Sequence, residues 1–338
     1  MTEQQKPKRR HHHVWQLYLR PWTTRGSIWC LQNDRVFPTG TTRVAVEKDF
    51  YKFQKLTAAD EQMVQLMFEK SHPSAQRSFQ SLVDKLMSPF REVEAIPGAA
   101  ESKSITRLLD GYASNVLEEL HSDVEARFIP LLKCALDGDI SFYDDKRCIA
   151  FLDFLTKQHM RTKGITERVA ATIKPMGDAD IRRAWSMLSF MFAQNVGASL
   201  YRERKRRRLA LLRNHSNIPF ITGDQPVINL RPMETQTVMI FYPLSPKLAL
   251  WLGEVDEACP FLDNGLSAEQ VALLNLRVVE ASYQQIFANE PAVLEFIARP
   301  PARQHFDTRH WPRGVPPKRS LTRGAGSVTP PQCARVCR

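Results

Sequence analysis

The sequence lacks the short motifs by which many nucleotide-dependent and hydrolytic enzymes are recognised. It contains no P-loop, no G-x-G-x-x-G, no H-E-x-x-H and no G-x-S-x-G pattern. Glycine is scarce, with 14 among 338 residues, so there is little material for a glycine-rich loop around a phosphate group. These absences argue against ATP and dinucleotides as ligands, and they assign no reaction.

Long apolar runs and paired cysteines are missing as well. No stretch reaches the roughly 18 apolar residues of a membrane helix, and the polar, basic N-terminus has no apolar core typical of a signal peptide. The six cysteines include no C-x-x-C pair, which argues against a zinc ribbon and is typical of a reducing compartment. We therefore expect a cytoplasmic protein with no membrane partner.

Positive charge is concentrated at the two ends of the chain. The formal net charge is +11, of which residues 1–13 contribute +3 and residues 299–338 contribute +8, so the segment between them is neutral. Both ends would add salt-sensitive attraction to nucleic acid or another polyanion. Within the neutral segment, the basic block Tyr201–Arg208 fits either a phosphate-facing surface or, as we favour, the solvated end of a helix.

Apolar periodicity between the two ends predicts mainly helices. One stripe runs along Ile105–Leu120, and Pro130 is expected to kink or restart that helix. Further helices are predicted at 58–70, at 148–155, from an N-cap at Asp178 through Phe192, and from a capping box at Ser267 to about Ala288. Short apolar segments predict strands at 27–31, 43–46, 209–212, 218–222, 227–228, 237–242 and 247–252.

The order of these elements predicts the fold class. Consecutive strands joined by short turns indicate an antiparallel meander, and the absence of alternating strands and helices argues against a doubly wound sheet. We therefore expect an α+β protein, with a mostly helical body packed beside a small antiparallel sheet. The predicted organisation is a disordered basic arm at 1–10, a single domain at 11–298 and a disordered Pro/Arg-rich tail at 299–338.

The first candidate site is the histidine-rich segment His11–Leu19. Imidazoles have the chemistry of bases or metal ligands, and three consecutive histidines lie beside Gln16 in this segment. Because side chains alternate along an extended segment, at most two of its three histidines can approach one ion from the same side. The structural alternative is a basic arm in which one histidine anchors the buried aromatic residues Trp15 and Tyr18.

The second candidate site is Phe220–Val227, where an apolar strand runs into a polar turn. Pro226 keeps Gln225 out of the helical region and Gly223 permits a positive φ, so Asp224 would be held rigidly at a strand end. A fixed carboxylate in that place suits a metal ligand or a general base. The alternative is an Asx-turn, in which Asp224 only accepts backbone N–H groups.

Three further segments carry polar groups with two interpretations each. Arg161 ends an apolar helix and either binds an anion through its two-donor fork or belongs to the helix cap. Glu61 and Glu69, two turns apart, are either a carboxylate pair or surface acids. Pro243–Pro246 is either a rigid turn or a polar loop beside the second site.

These segments, taken in order, resemble the bacterial domain-of-unknown-function family 4238. Its members are similar in opening with His-Tyr-Val-Pro-Gln-x-Tyr-Leu and in carrying, later, an Asp-Phe-Tyr-like segment, Arg-Thr, Phe-Ile-Thr-Ser-Asp-x-Pro-Val and Pro-Leu-Ser-Pro. The counterparts here are His12–Leu19, Asp49–Tyr51, Arg161–Thr162, Phe220–Val227 and Pro243–Pro246. The resemblance covers about residues 11–298 and loosely suggests a role in bacterial defence or stress. It also implies a shared site formed by His12, Gln16, Arg161, Thr222 and Asp224.

Two functions fit this set of residues. The first is a metal-dependent phosphodiester hydrolase, a nuclease-like enzyme with His12, Arg161 and Asp224 as catalytic residues. Its substrate would be bound by Gln16, Thr222 and Gln225, and its divalent metal would be held by His12, Asp224 and Glu69. The second is a non-catalytic binding or sensor module for an anionic ligand or nucleic acid. A third interpretation is that the motifs are only turns and caps of the fold.

The sequence departs from the family pattern at two positions. Trp15 replaces the family's proline, and Gly223 replaces its serine. The second change removes a hydroxyl group beside Asp224, so any mechanism that needs this hydroxyl is in doubt.

Overall fold

A computed structural model of the chain describes residues 6–174, 177–231, 237–255 and 265–299. The helices are α1 (Gln16–Leu19), α2 (Ala58–Phe68), α3 (Pro73–Ala95), α4 (Lys103–Leu136), α5 (Cys148–Met160), α6 (Lys163–Thr172), α7 (Ile181–Arg202), α8 (Ala268–Ala281) and α9 (Pro291–Ala298). The strands are β1 (Arg10–His12), β2 (Ile28–Gln32), β3 (Arg35–Thr39), β4 (Val46–Lys48), β5 (Arg207–Arg213), β6 (Thr222–Gly223), β7 (Ile228–Asn229), β8 (Ile240–Ser245), β9 (Leu248–Glu254) and β10 (Ile286–Ala288).

The chain divides into two compact units, where the sequence predicts one domain over 11–298. Unit 1 comprises Met1–Leu19 and Thr41–Glu203, and unit 2 comprises Arg20–Gly40 and Arg204–Arg338. Helices dominate and the strands form small antiparallel sheets, so the predicted α+β class is confirmed. Among the described helices, none has the length and apolar content needed to cross a bilayer.

Local caps begin two of the helices in unit 1. Before α2, Thr57 and Asp60 form a capping box, as each side chain accepts the other's backbone N–H. Before α7, Asp180 accepts the N–H of Arg182. The prediction of Asp178 as this N-cap is therefore wrong by two residues. The reason is a long-range contact, since the backbone N–H of Asp180 donates to Asp60 Oδ1 at 2.8 Å and fixes the start of the helix.

Apolar faces of α2, α3, α4 and α7 form the main core of unit 1. Its buried side chains include those of Phe68, Phe79, Leu86, Leu117 and Leu188. Burying each such side chain contributes about 1.5–3 kcal/mol. Helix α4 continues through Pro130, where a kink or restart was predicted, and its buried residues lie on both sides of the proline.

The N-terminal residues of unit 1 join this body. Strand β1 pairs antiparallel with β4, with His12 opposite Val46. Residues 6–10 fall within the predicted disordered arm, yet the Lys8 N–H donates to Asn115 Oδ1 at 2.7 Å. The remainder of the predicted disordered ends, residues 1–5 and 300–338, lies outside the described residues.

Unit 2 contains two four-stranded antiparallel sheets within its described residues. One has the order β3-β2-β10-β6 and the other β5-β9-β8-β7. The second contains the predicted meander, because β7, β8 and β9 pair in succession and β5 lies beside β9. The strand predicted at 218–222 is limited to Thr222–Gly223. Helix α8 begins at the predicted Ser267 capping box but ends at Ala281, not near Ala288.

Candidate functional site

Arg161 forms the end of helix α5 and is buried within unit 1. Its backbone N–H donates to Lys157 O at 3.0 Å, which closes the last turn. Its side chain is only 4% exposed. A cation is favourable at a helix C-terminus because the carbonyl groups there are partly negative. The backbone of Arg161 therefore serves as the cap, while its guanidinium group remains available for another role.

One edge of this guanidinium group is paired and the other is free. Nη1 donates to Glu125 Oε1 at 2.7 Å. Nε and Nη2 are buried and have no hydrogen-bond partner among the described residues. These two nitrogens form the fork that binds two oxygens of one carboxylate or phosphate. Each buried donor without a partner costs about 1–3 kcal/mol, so this edge is suited to a ligand or an ordered water.

One face of helix α4 lies beside Arg161. Glu118, His121 and Glu125 follow one another at i, i+3 and i+7, a spacing that places them on the same side of a helix. The His121 ring packs between Tyr51 and Phe190, with ring centroids 4.6 Å and 4.4 Å away. His121 Nε2 is buried and has no hydrogen-bond partner among the described residues.

His11, the first histidine of the N-terminal segment, has a structural role. Its Nε2 lies 2.7 Å from Lys8 O and 3.1 Å from Ser114 O, and its Nδ1 accepts the N–H of Tyr51 at 2.8 Å. Both ring nitrogens are therefore used to hold the N-terminal segment against α4. One histidine thus anchors the segment, but through Lys8, Ser114 and Tyr51, whereas the structural alternative named Trp15 and Tyr18.

His12 and His13 lie close enough to Arg161 for its charge to act on both imidazoles. The His12 carbonyl accepts the Tyr51 hydroxyl at 3.1 Å, and the His13 carbonyl accepts Gln158 Nε2 at 3.0 Å. Three buried atoms of these residues have no hydrogen-bond partner in the described chain: His12 Nε2, His13 Nδ1 and Gln158 Oε1. We name as the polar centre the group formed by His12, His13, Tyr51, Glu118, His121, Glu125, Gln158 and Arg161.

The imidazoles of the polar centre are neutral near pH 7. Burial, assisted by the charge of Arg161, lowers the pKa of His13 to about 3 and the pKa of His121 well below its ordinary value. Burial also lowers the pKa of His12, with contributions from Arg10 and Arg161. A neutral imidazole has one donor and one acceptor nitrogen, so these rings can bind either kind of ligand atom.

Burial shifts the carboxylates of the polar centre in the opposite sense. It raises the pKa of Glu118 and of Glu125, and the charge of Arg161 opposes both shifts. For Arg161, burial alone would lower the pKa, but Tyr51 and Glu125 outweigh it and the pKa is raised. The polar centre therefore contains a permanent cation that is hydrogen-bonded to Glu125 and has Glu118 as a second carboxyl group nearby.

Asp224, in unit 2, has a different environment. The residue is 2% exposed, and both of its carboxylate oxygens accept backbone N–H groups. Oδ1 accepts from Tyr283 at 2.7 Å, and Oδ2 accepts from Gln284 at 2.7 Å and from Gln285 at 3.0 Å. The carboxylate thus holds the segment that follows α8. It accepts backbone N–H groups, but from residues 59–61 positions along the chain and not within a local Asx-turn.

Comparison with known proteins agrees with the family resemblance. The family model described as "Protein of unknown function (DUF4238)" matches residues 10–292. The chain belongs to the DUF4238 family. No curated protein and no solved structure matches it.

In this DUF4238 protein, Gly223 stands where the family has serine, and the surroundings of Gly223 explain the difference. A Cβ atom at residue 223 would lie 2.0 Å from Ser282 Oγ and 3.0 Å from Gln285 O. Ser282 Oγ itself donates to Val278 O at 2.8 Å in the last turn of α8. The Ser282 hydroxyl therefore fills the space beside Asp224 that a side chain at residue 223 would need.

The remaining predicted site residues of this DUF4238 protein are placed as follows. Gln16 is half-buried at the first position of α1. Thr222 is buried in β6 opposite Phe287, and Gln225 is buried with its Nε2 donating to Val227 O at 3.0 Å. Glu69 is exposed at the end of α2. The contacts of Thr222 and Gln225 are part of the local structure. The roles of Gln16, Thr222 and Gln225 in substrate binding and of Glu69 in metal binding stay predictions.

The predicted metal set is His12, Glu69 and Asp224. No group of three His, Cys, Asp or Glu side chains placed to hold a metal ion occurs in the described parts of the chain. His12 and Glu69 belong to unit 1 and Asp224 belongs to unit 2. The convergence of Asp224 with His12 and Arg161 therefore stays a prediction, while Arg161 and His12 share the polar centre.

Sequence reasoning missed several members of the polar centre. Glu118, His121 and Glu125 were not among the candidate residues, and His13 and Gln158 lay within candidate segments without being assigned to the site. One signal was present, since Glu118, His121 and Glu125 repeat at helical spacing directly after the apolar stripe of α4. Nothing in the sequence distinguishes this repeat from a solvated helix face, because the deciding property is burial.

Proposed function

We propose that this protein is a non-catalytic binding or sensor module, and that unit 1 binds a small anionic ligand at the Nε–Nη2 edge of Arg161. The observation that supports the proposal is a buried guanidinium group with one edge paired to Glu125 and the other edge without a partner in the described chain. A cytoplasmic location in a bacterium, with a role in defence or stress, belongs to the same proposal.

The energetics of Arg161 favour a ligand-binding role over a purely structural one. A structural ion pair in a protein interior is retained when hydrogen bonds satisfy both partners. Among the residues that the structure describes, Nη1 of Arg161 has a partner, while Nε and Nη2 have none. An anionic group with two oxygens would satisfy both donors at once, through charge-assisted hydrogen bonds of about twice the ordinary strength.

Burial favours a small ligand over nucleic acid. The free nitrogens of Arg161 are enclosed, whereas nucleic-acid phosphates are bound by basic groups on an accessible surface. Basic groups on an accessible surface occur elsewhere in the chain, at Lys205, Arg206 and Arg208. Phosphodiester hydrolysis finds less support, because the three backbone bonds to Asp224 occupy both oxygens that a metal or a water would use.

Calorimetric titration of the full-length protein with acetate, phosphate and sulfate tests the proposal. We expect saturable binding of at least one anion by the wild type. Arg161→Lys keeps the charge opposite Glu125 but lacks the two-donor fork, so it should weaken binding by roughly tenfold or more. Arg127→Lys is the matched control, because Arg127 lies on α4, is 60% exposed and pairs with Asp153.

Two results would contradict the proposal. One is wild-type protein that binds none of these anions, and the other is an Arg161→Lys variant that binds them as the wild type does. A parallel assay for DNA and RNA cleavage with Mg²⁺ or Mn²⁺ tests the hydrolase prediction. Turnover that disappears in Asp224→Asn, with the variant still folded, would restore the enzyme as the better function.

A further inference from the structure

A second unpartnered atom of the polar centre, on the same helix as Arg161, indicates what kind of anion fits. Gln158 and Arg161 are three residues apart at the end of α5, so their side chains project from the same face. Gln158 Nε2 donates to His13 O, which fixes the orientation of the amide and leaves Oε1 as an acceptor only. That oxygen is buried and has no partner among the described residues. A ligand that satisfies the centre must therefore donate a hydrogen bond as well as accept two.

The charge of the polar centre limits the charge of the ligand. Arg161 already shares its positive charge with Glu125, and Glu118 adds a second carboxyl group nearby. The buried imidazoles of His13 and His121 are neutral and offer no further positive charge. A buried charge without a counter-charge is costly, so a dianion such as a phosphate monoester would be penalised relative to a monoanion.

Aromatic rings pack against the imidazoles of the centre. The rings of Tyr51 and Phe190 pack on His121, and the ring of Phe50 lies 5.4 Å from that of His13. Such apolar surroundings suit a ligand with a short carbon skeleton rather than a ligand with a second charged group.

We infer that the ligand is a small monocarboxylate that carries a hydrogen-bond donor, such as a hydroxyl group, next to its carboxylate. The inference rests on the proposed function, since it assumes that the free edge of Arg161 binds the anionic group. The carboxylate would accept from Nε and Nη2 of Arg161, and the adjacent hydroxyl would donate to Gln158 Oε1. The imidazoles of His13 and His121 would complete the hydrogen bonding of the ligand.

Acetate and glycolate test this inference, because they differ by a single hydroxyl group. With full-length wild-type protein, we expect calorimetry to give a Kd for glycolate about tenfold lower than the Kd for acetate, the effect of one additional hydrogen bond in a buried site. Inorganic phosphate should bind more weakly than glycolate. In Gln158→Met, which removes the acceptor but retains most of the side-chain volume, the ratio of the acetate Kd to the glycolate Kd should fall from about ten to about one.

The possible outcomes separate this inference from the proposed function. Equal affinities for acetate and glycolate in the wild type, or tighter binding of phosphate, would overturn the inference and leave anion binding intact. A preference for glycolate that survives in folded Gln158→Met would also overturn it. Failure of every anion to bind would overturn the proposed function itself. The wild-type comparison needs no variant, so it decides even where Gln158→Met does not fold.

Discussion

Replacing Asp224 by asparagine should destabilise unit 2, because the carboxylate of Asp224 organises the backbone after α8. Its oxygens accept the N–H groups of three successive residues, Tyr283, Gln284 and Gln285, at 2.7–3.0 Å. Asparagine has the same shape but only one acceptor oxygen. Whichever way the amide is turned, its NH₂ group faces at least one backbone donor, and the bonds that remain lose their charge assistance.

The size of the effect follows from these three bonds. Leaving one of these part-buried N–H groups without an acceptor costs about 2 kcal/mol, and each of the two remaining bonds loses about 1 kcal/mol when its acceptor becomes neutral. Replacing the buried carboxylate by a neutral amide offsets about 1 kcal/mol of this loss of stability, since a charged group no longer has to be desolvated. We therefore expect Asp224→Asn to lower the free energy of unfolding by about 3 kcal/mol.

Urea unfolding followed by circular dichroism and tryptophan fluorescence measures this change. Glu295→Gln is the matched control, because Glu295 is an exposed acid on α9 in the same unit and its substitution should change stability by less than about 0.5 kcal/mol. A loss below about 1 kcal/mol for Asp224→Asn would refute the structural assignment. Unchanged or increased stability would be typical of a strained catalytic carboxylate and would favour the hydrolase prediction.

Two further predictions concern a buried carboxylate in unit 1 and a glycine in unit 2. Burial alone would raise the pKa of Asp60, but hydrogen bonds from Arg183, the Asp180 N–H and Thr57 outweigh it and lower the pKa to about 2. Because the folded-state pKa is below the unfolded value of 3.8, the ionised Asp60 contributes about 2 kcal/mol of stability above about pH 4, and this is lost as the pH falls through 2. The urea midpoints of wild type and Asp60→Asn should therefore differ at pH 6 and converge near pH 2, whereas a constant difference would argue against this linkage. At the other position, Gly223→Ala should cost about 1–3 kcal/mol because its Cβ meets Ser282 Oγ at 2.0 Å. Ser282→Ala should relieve part of that cost in the double variant, and strictly additive losses in the double-mutant cycle would show that the two side chains do not collide.

Local signals in the sequence were sufficient to predict several elements. The Ser267 capping box begins α8, the apolar periodicity marks α5, and the alternation of short apolar segments and turns marks the meander of β7, β8 and β9. Each of these signals involves residues within a few positions of one another. The physical interaction that decides the structure is therefore contained in the same short segment.

Elements decided by distant contacts were not predictable in this way. Apolar residues continue past Ala281, so periodicity extends α8 to about Ala288, but Asp224 captures the N–H groups at 283–285. Three donors that a continuing helix would need are thereby used elsewhere, and Ile286–Ala288 joins β2 and β6 as a strand. The pairing of β1 with β4 and the choice of Asp180 over Asp178 depend on long-range contacts of the same kind.

For the candidate site, too, the sequence gives the identity of the charged residues but not their environment. From the sequence, Asp224 and Arg161 are equivalent candidates, since each is a charged residue at the end of an apolar element. Their hydrogen bonds separate them, because both oxygens of Asp224 accept backbone N–H groups, while Nε and Nη2 of Arg161 have no partner among the described residues. A fully satisfied buried charge is held in place by the fold, and a ligand would have to break existing bonds to reach it. A buried charge with donors left over has the opposite property, since binding an anion there adds hydrogen bonds and removes none.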